Sequence, residues 1–204
     1  MLQERLWEKM RIVAGRNRGV RLRAPSGRGV RPTSDKVREA MFQIAESRYG
    51  IEWDGASFLD LFAGAGTLGL EAVSRGASRA VFIESSARHV RTIADNINTC
   101  GVEGQGRVFR AAIPIKTGVM EKVMGYAPFR MIAADPPYSK GLGIKALEQA
   151  ADYALLADGG VLVIEEFYRE VLPETCKGEK ATLALCDTRK YGQTVLWFYQ
   201  VKGR

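Results

Sequence analysis

Short apolar runs alternate with segments of helical periodicity through most of the chain, and that alternation predicts an α/β fold before any single residue is considered. Apolar runs of strand length occupy Phe58–Phe62, Ala80–Glu84, Val108–Ala111, Met131–Asp135 and Val161–Glu165. Between them, Thr67–Arg75, Ser86–Asn98, Ile115–Met124 and Ile144–Leu155 carry apolar residues at helical spacing. Strand–helix–strand repeats of this kind build a parallel sheet covered by helices on both faces. The pattern then changes. Thr182–Cys186 and Thr194–Val201 are rich in β-formers, and residues 187–193 between them are too few for a helical crossover, so the two should pair antiparallel. The prediction is a seven-stranded, mostly parallel sheet with a C-terminal antiparallel hairpin. Trp197, Phe198 and Tyr199 alternate along the last strand and read as sheet and core packing.

Upstream, Arg11–Ala14 and Val20–Arg23 are strand-like and flank Gly15-Arg16-Asn17-Arg18-Gly19, which predicts a small β-hairpin. Thr33, Ser34 and Asp35 supply helix N-cap oxygens, and Val37, Ala40, Met41, Ile44 and Ala45 recur at helical spacing until Gly50. The expected division is therefore a hairpin-and-helix extension over residues 1–50 and a main domain over 51–204.

Charge sharpens that division. The chain of 204 residues carries a net +7, yet residues 1–38 alone hold eleven basic and three acidic side chains, +8, leaving −1 for the rest. Nine of the eleven are arginines, whose planar guanidinium makes bidentate contacts to phosphate. Arg11, Arg16, Arg18, Arg21, Arg23, Arg31 and Arg38 are the candidate nucleic-acid contacts. No apolar run approaches the roughly 20 residues of a membrane span. Met1 to Met10 is broken by Glu4, Arg5, Glu8 and Lys9 where a signal peptide needs its apolar stretch, so a cytoplasmic protein is expected. Cys100, Cys176 and Cys186 form no CxxC pair and His89 is the single histidine, so neither a metal site nor a disulfide is expected.

Three constellations carry chemistry. Asp60-Leu61-Phe62-Ala63-Gly64-Ala65-Gly66-Thr67 runs from an apolar strand through a glycine-rich turn into a helix, where backbone can approach a ligand closely. With Gly69 it formally matches GxGxxG, so a dinucleotide cofactor is an alternative at this point. Glu84 ends the next strand, 20 residues after Gly64, the spacing at which a carboxylate accepts from the hydroxyls of an adenosine ribose. Asp135-Pro136-Pro137-Tyr138 directly follows the strand ending at Ala134. Two prolines have fixed φ and no N–H, so this stiff turn offers the Asp135 carboxylate and the Pro136 carbonyl as acceptors for the two N–H groups of a base amine. Tyr138 can stack on an extruded base.

Asp-Pro-Pro-Tyr at a strand end resembles the catalytic turn of methyltransferases acting on exocyclic amines of nucleic-acid bases. With Arg11-Ile12-Val13-Ala14-Gly15, Gly19-Val20-Arg21-Leu22, Arg31-Pro32-Thr33-Ser34-Asp35-Lys36-Val37-Arg38 and Phe58-Leu59-Asp60-Leu61-Phe62-Ala63-Gly64, the chain is similar to the RsmD family from about Met10 to its C-terminus. The resemblance implies a Rossmann-like class I S-adenosyl-L-methionine-dependent fold and methylation of guanine N2 in small-subunit (16S) ribosomal RNA assembled with ribosomal proteins. It implies Asp135, Pro136, Pro137 and Tyr138 as the catalytic turn. Asp60, Phe62, Ala63, Gly64, Gly66, Thr67 and Glu84 would bind the cofactor. A monomer with no metal and no membrane partner is expected.

Two departures stand out. Phe109-Arg110-Ala111-Ala112-Ile113 lacks the small acidic or amide residue that relatives often set against the cofactor adenine, and Met1 to Lys9 extends beyond their usual start. Three other functions stay open on sequence grounds: an adenine-N6 methyltransferase with the same turn, an NAD-dependent oxidoreductase, and a non-catalytic RNA-binding assembly factor.

Overall fold

A computed structural model describes residues 10–24, 35–138 and 140–203. In chain order its elements are α1 (Asp35–Tyr49), β1 (Ser57–Asp60), α2 (Thr67–Arg75), β2 (Arg79–Glu84), α3 (Ala87–Cys100), β3 (Gly106–Arg110), α4 (Thr117–Met124), β4 (Phe129–Ala134), α5 (Leu142–Asp152), β5 (Leu156–Phe167), β6 (Thr175–Lys177), β7 (Thr182–Tyr191) and β8 (Thr194–Val201). One sheet holds all eight strands in the order β3-β2-β1-β4-β5-β8-β7-β6. The first five are parallel and the last three join antiparallel. The chain winds outward from β1 to β3 and then returns to β4, so a crevice opens between β1 and β4 at the carboxyl ends of the strands.

The predicted elements are present, with three differences. β6 is an additional strand; three residues, Thr-Cys-Lys, are too few to show a period. β7 extends through Tyr191, across residues expected to connect the hairpin, and the turn shrinks to Gly192 and Gln193. Exposed Thr188, Arg189 and Lys190 hide that strand from an apolar-pattern reading, because the β8 ladder and not side-chain burial holds it there. At the N-terminus, Arg11 and Arg21 form a single β-bridge, supported by Ile12 N–H to Val20 O at 3.0 Å and Leu22 N–H to Met10 O at 2.9 Å.

Strand alternation divides the core into two layers. Phe58, Phe82, Met131, Ala133, Val161 and Val163 pack on one face with α1, α2, α3 and Met10, Ile12 and Leu22 of the hairpin. Leu59, Val81, Ile83, Ile132, Ala134, Leu162 and Ile164 pack on the other with α4 and α5. Phe198 and Tyr199 are fully buried, one in each layer, as sheet packing predicts, and the Tyr199 hydroxyl donates to Pro173 O at 2.8 Å. Among the described residues, no helix is long and apolar enough to cross a membrane.

Buried polar groups bind the basic hairpin to this core. Glu71 of α2, 0% exposed, accepts from Val13 N–H at 2.9 Å, Ala14 N–H at 3.0 Å and Arg75 Nε at 3.0 Å, and lies 3.8 Å from Arg38 Nε. Ser74 Oγ donates to Ala14 O and accepts from Asn17 N–H. Gly15, with φ +78°, lies so close that a Cβ would come within 1.9 Å of Ser74 O; only glycine fits. Asn96 of α3 exchanges hydrogen bonds with both backbone groups of Arg23 and donates to Ala65 O in the glycine turn.

Glu71→Gln removes the buried charge around which two backbone N–H groups and the guanidinium groups of Arg75 and Arg38 are arranged. Breaking such a network costs about 3–5 kcal/mol. Urea denaturation should show a midpoint lowered to match; an unchanged midpoint would contradict the assignment of Glu71 as the clasp.

Candidate active site

The alternation that sorts the core also sorts the acids. Asp60 follows Phe58 by two residues, Glu84 follows Phe82, Asp135 follows Ala133 and Glu165 follows Val163, so all four carboxylates share the α1–α3 face. They stand at the carboxyl ends of four neighbouring parallel strands, β2, β1, β4 and β5. All four line one cavity of about 580 Å³, together with Phe62, Ala63, Gly64 and Thr67 from the glycine turn and Pro136, Pro137 and Tyr138 from the proline turn. A volume of this order suits a cofactor and part of an acceptor.

Asp60 is 1% exposed. Its Oδ2 accepts from Gly69 N–H at 3.3 Å and the Phe62 N–H also faces the carboxylate, while Oδ1 is buried with no hydrogen bond of good geometry among the described residues. Burial, with the charges of Asp135 and Glu84 adding to it, pushes its pKa up from 3.8 to about 7. Glu84 holds the turns on either side: Oε2 accepts from Gly64 N–H at 2.9 Å and Oε1 from Ser86 N–H at 2.8 Å, with His89 Nδ1 at 3.6 Å. A carboxylate has roughly four acceptor sites, so these contacts are compatible with a bound diol.

The three glycines do different work. Gly64, with φ +54°, has open space where a Cβ would lie, at the cavity wall. Gly66 begins α2 in the left-handed region and is buried below the cavity lining. At Gly69 a Cβ would meet Phe82 at 2.2 Å, so this residue allows α2 to rest on β2.

In the proline turn, the Tyr138 hydroxyl bonds Thr194 Oγ1 at 3.0 Å and donates to Glu165 Oε1 at 3.3 Å, and its ring tilts against Phe167 with centroids 5.7 Å apart. Burial pushes its pKa to about 12, so it stays a neutral phenol.

The arginines divide. Arg11, Arg16, Arg18, Arg21 and Arg23 are exposed. Arg11 pairs with Asp35 at 3.5 Å, Arg23 with Asp95 at 2.8 Å, and Arg16 bonds Gln105. Among the described residues, Arg18 and Arg21 have no acidic partner. Arg31, with Thr33, lies outside the described residues. Arg38 is a correction: at 2% exposed, its guanidinium donates to Asp35 Oδ1 at 2.9 Å and to Arg11 O at 2.7 Å, and it borders the cavity as a buried strut rather than a solvent-facing phosphate contact.

Sequence reasoning missed Glu165, His89 and Thr194. Glu165 follows the apolar run Val161–Ile164 much as Glu84 follows its own, but β5 continues through Phe167, so no turn marks it. His89 is drawn to the cavity by the start of α3, where Ser86 Oγ accepts from His89 N–H. Among the described residues, no group of three or more His, Cys, Asp or Glu side chains could hold a metal ion.

The protein family described as Conserved hypothetical protein 95 matches residues 10–200. YlbH of Bacillus subtilis is 34% identical over 203 residues, covering 95% of this chain and all of that one. Ribosomal RNA small subunit methyltransferase D of Escherichia coli is 31% identical over 192 residues, covering 94% of this chain and 90% of its own. The solved structure of yhhF from Escherichia coli matches with a TM-score of 0.73 at 29% identity, over 95% of this chain and 98% of that one.

Between pH 3.8 and about 7 the folded protein keeps the Asp60 proton that the unfolded chain has lost. Its contribution to stability is therefore present below the lower value and lost as pH rises through the higher. Glu166, buried on the opposite face and also pushed to about 7, acts in the same direction. Urea melts should show stability falling from pH 5 to pH 8, and Asp60→Asn should flatten that fall; an unaltered slope in the variant would refute the buried proton.

Proposed function

The chain belongs to the RsmD family and is an S-adenosylmethionine-dependent methyltransferase, and we propose that its acceptor is the exocyclic N2 amine of a guanine in small-subunit ribosomal RNA. The observation that carries the reading is the convergence of a proline-stiffened acceptor turn and a glycine turn on one acid-lined cavity.

The residues present fit this cofactor. Gly64 leaves its wall open, and the orphaned Oδ1 of Asp60 is a buried acceptor suited to a cationic ligand. When bound, S-adenosylmethionine supplies an electrophilic methyl on a sulfonium whose leaving group is a neutral thioether. Glu84 would accept from the ribose hydroxyls, and Asp60 with the Phe62–Thr67 turn would surround the methionine half. Asp135 and the Pro136 carbonyl would accept the two N–H bonds of the amine and so orient its nitrogen lone pair toward the cofactor side of the cavity. Asp135 is then placed to take the proton that the methylated nitrogen sheds. Tyr138, held by Thr194 and Glu165, presents its ring to the base. Positioning and fixed negative charge do most of the work, because a neutral leaving group needs no acid.

RNA is held by the hairpin. Met10, at its open end, lines the cavity, while Arg16 N–H bonds Ser74 O near the far end of α2. The nine residues of α2 span about 13 Å at 1.5 Å per residue, so the arginines form a strip leading away from the cavity mouth. The acceptor in this reading is an assembled or partly assembled small subunit, and the enzyme works as a cytoplasmic monomer.

Two experiments test the reading. With a tritiated methyl donor, small-subunit particles should be labelled in preference to DNA, and Asp135→Ala should lose at least about 100-fold in rate while retaining cofactor affinity. Labelling of DNA adenine alone would overturn it. Arg18→Ala and Arg21→Ala should each weaken RNA binding and reduce the slope of log affinity against log salt by about 1; an unchanged slope would remove the hairpin from the interface.

A further inference from the structure

We propose that Glu165 reads the acceptor base as guanine by accepting its N1–H, resting on the reading of the cavity as a base-amine methyltransferase site. β4 and β5 pair in parallel through Ala134 and Ile164, so Asp135 and Glu165 are the next residues of neighbouring strands. Side chains so related lie on one face, with backbones about 4.8 Å apart. Both line the cavity, and Glu165 is only 4% exposed.

A buried carboxylate is costly unless donors meet it. The Tyr138 hydroxyl, 3.0 Å from Thr194 Oγ1, donates to Glu165 Oε1 at 3.3 Å and takes up one of its acceptor sites. A carboxylate's roughly four acceptor sites let it meet Tyr138 and a base together.

The bases that carry an exocyclic amine differ in what stands beside it. On the Watson–Crick edge, adenine N6 and cytosine N4 each adjoin a ring nitrogen that is a lone-pair acceptor, and a carboxylate there repels it. Guanine N2 adjoins N1–H, a donor. An acceptor pair for the amine with a second carboxylate beside it therefore matches guanine and opposes the other two. Here the base choice comes from side-chain chemistry, where otherwise it rests on family likeness.

The test uses two forms of the small-subunit RNA that the wild-type enzyme methylates, one with guanine and one with 2-aminopurine at the target position. 2-Aminopurine keeps the N2 amine but has an acceptor at N1. The wild type should prefer guanine in kcat/KM by on the order of 10- to 100-fold, the worth of a hydrogen bond to a charged group. Glu165→Gln keeps an acceptor for the Tyr138 hydroxyl and adds a donor that suits the 2-aminopurine N1, so its preference should collapse toward unity. Tyr138→Phe, which loses the hydroxyl but retains the carboxylate, should keep the wild-type preference. An unchanged ratio in Glu165→Gln, or no preference in the wild type, overturns the role of Glu165 while leaving guanine methylation standing. A wild-type enzyme that methylates adenine instead overturns both.

Discussion

Four carboxylates crowded at one end of a sheet are the constraint on which the site depends. Asp60, Glu84, Asp135 and Glu165 converge because the two-residue period of a strand gives them a common face and the strand order makes them neighbours. Isolated from other groups they would repel; burial is the main reason Asp60 holds its proton to about pH 7, and the charges of Asp135 and Glu84 add to it. On the proposed function, a cationic sulfonium and a base edge rich in N–H donors would relieve that repulsion, so the acid cluster would favour the ligands that neutralise it.

The protein separates its charge accordingly. A chain of net +7 encloses an acidic cavity and carries five exposed arginines on a hairpin outside it. The two are joined mechanically as well as electrically. Glu71 and Ser74 fasten the hairpin to the helix that begins at the glycine turn, and Asn96 links Arg23 to Ala65 within that turn. A surface of exposed arginines is in this way held at a set distance from the cavity. Arg38 belongs to this framework: buried against Asp35 and Glu71, it braces α1 against α2.

Much of this was legible in the sequence, and what was not has definite causes. The parallel strands and their helices appear in the apolar pattern because buried strands are continuously apolar, and Asp135 and Glu84 stand out as charges ending such runs. Glu165 ends one too, but Glu166 and Phe167 continue the strand beyond it, so no turn marks it. The apolar pattern of β7 stops at Cys186 because Asp187 to Lys190 are polar, and strands held by their ladders alone leave no apolar signature. The charge of Arg38 is visible in the sequence, but its burial comes from the hairpin carbonyl of Arg11 and from Glu71, 27 and 33 positions away. His89 reaches the cavity only through the geometry of a helix start.

The central claim is that this acid-lined cavity methylates the amine of guanine in small-subunit ribosomal RNA. Mass spectrometry of nucleosides from that RNA, isolated from cells with and without the gene, reads base, position and methyl count together. The account predicts one N2-methylguanosine that disappears with the gene. Loss of a methylated adenine or cytosine in its place, or identical nucleosides in both cells, would contradict it.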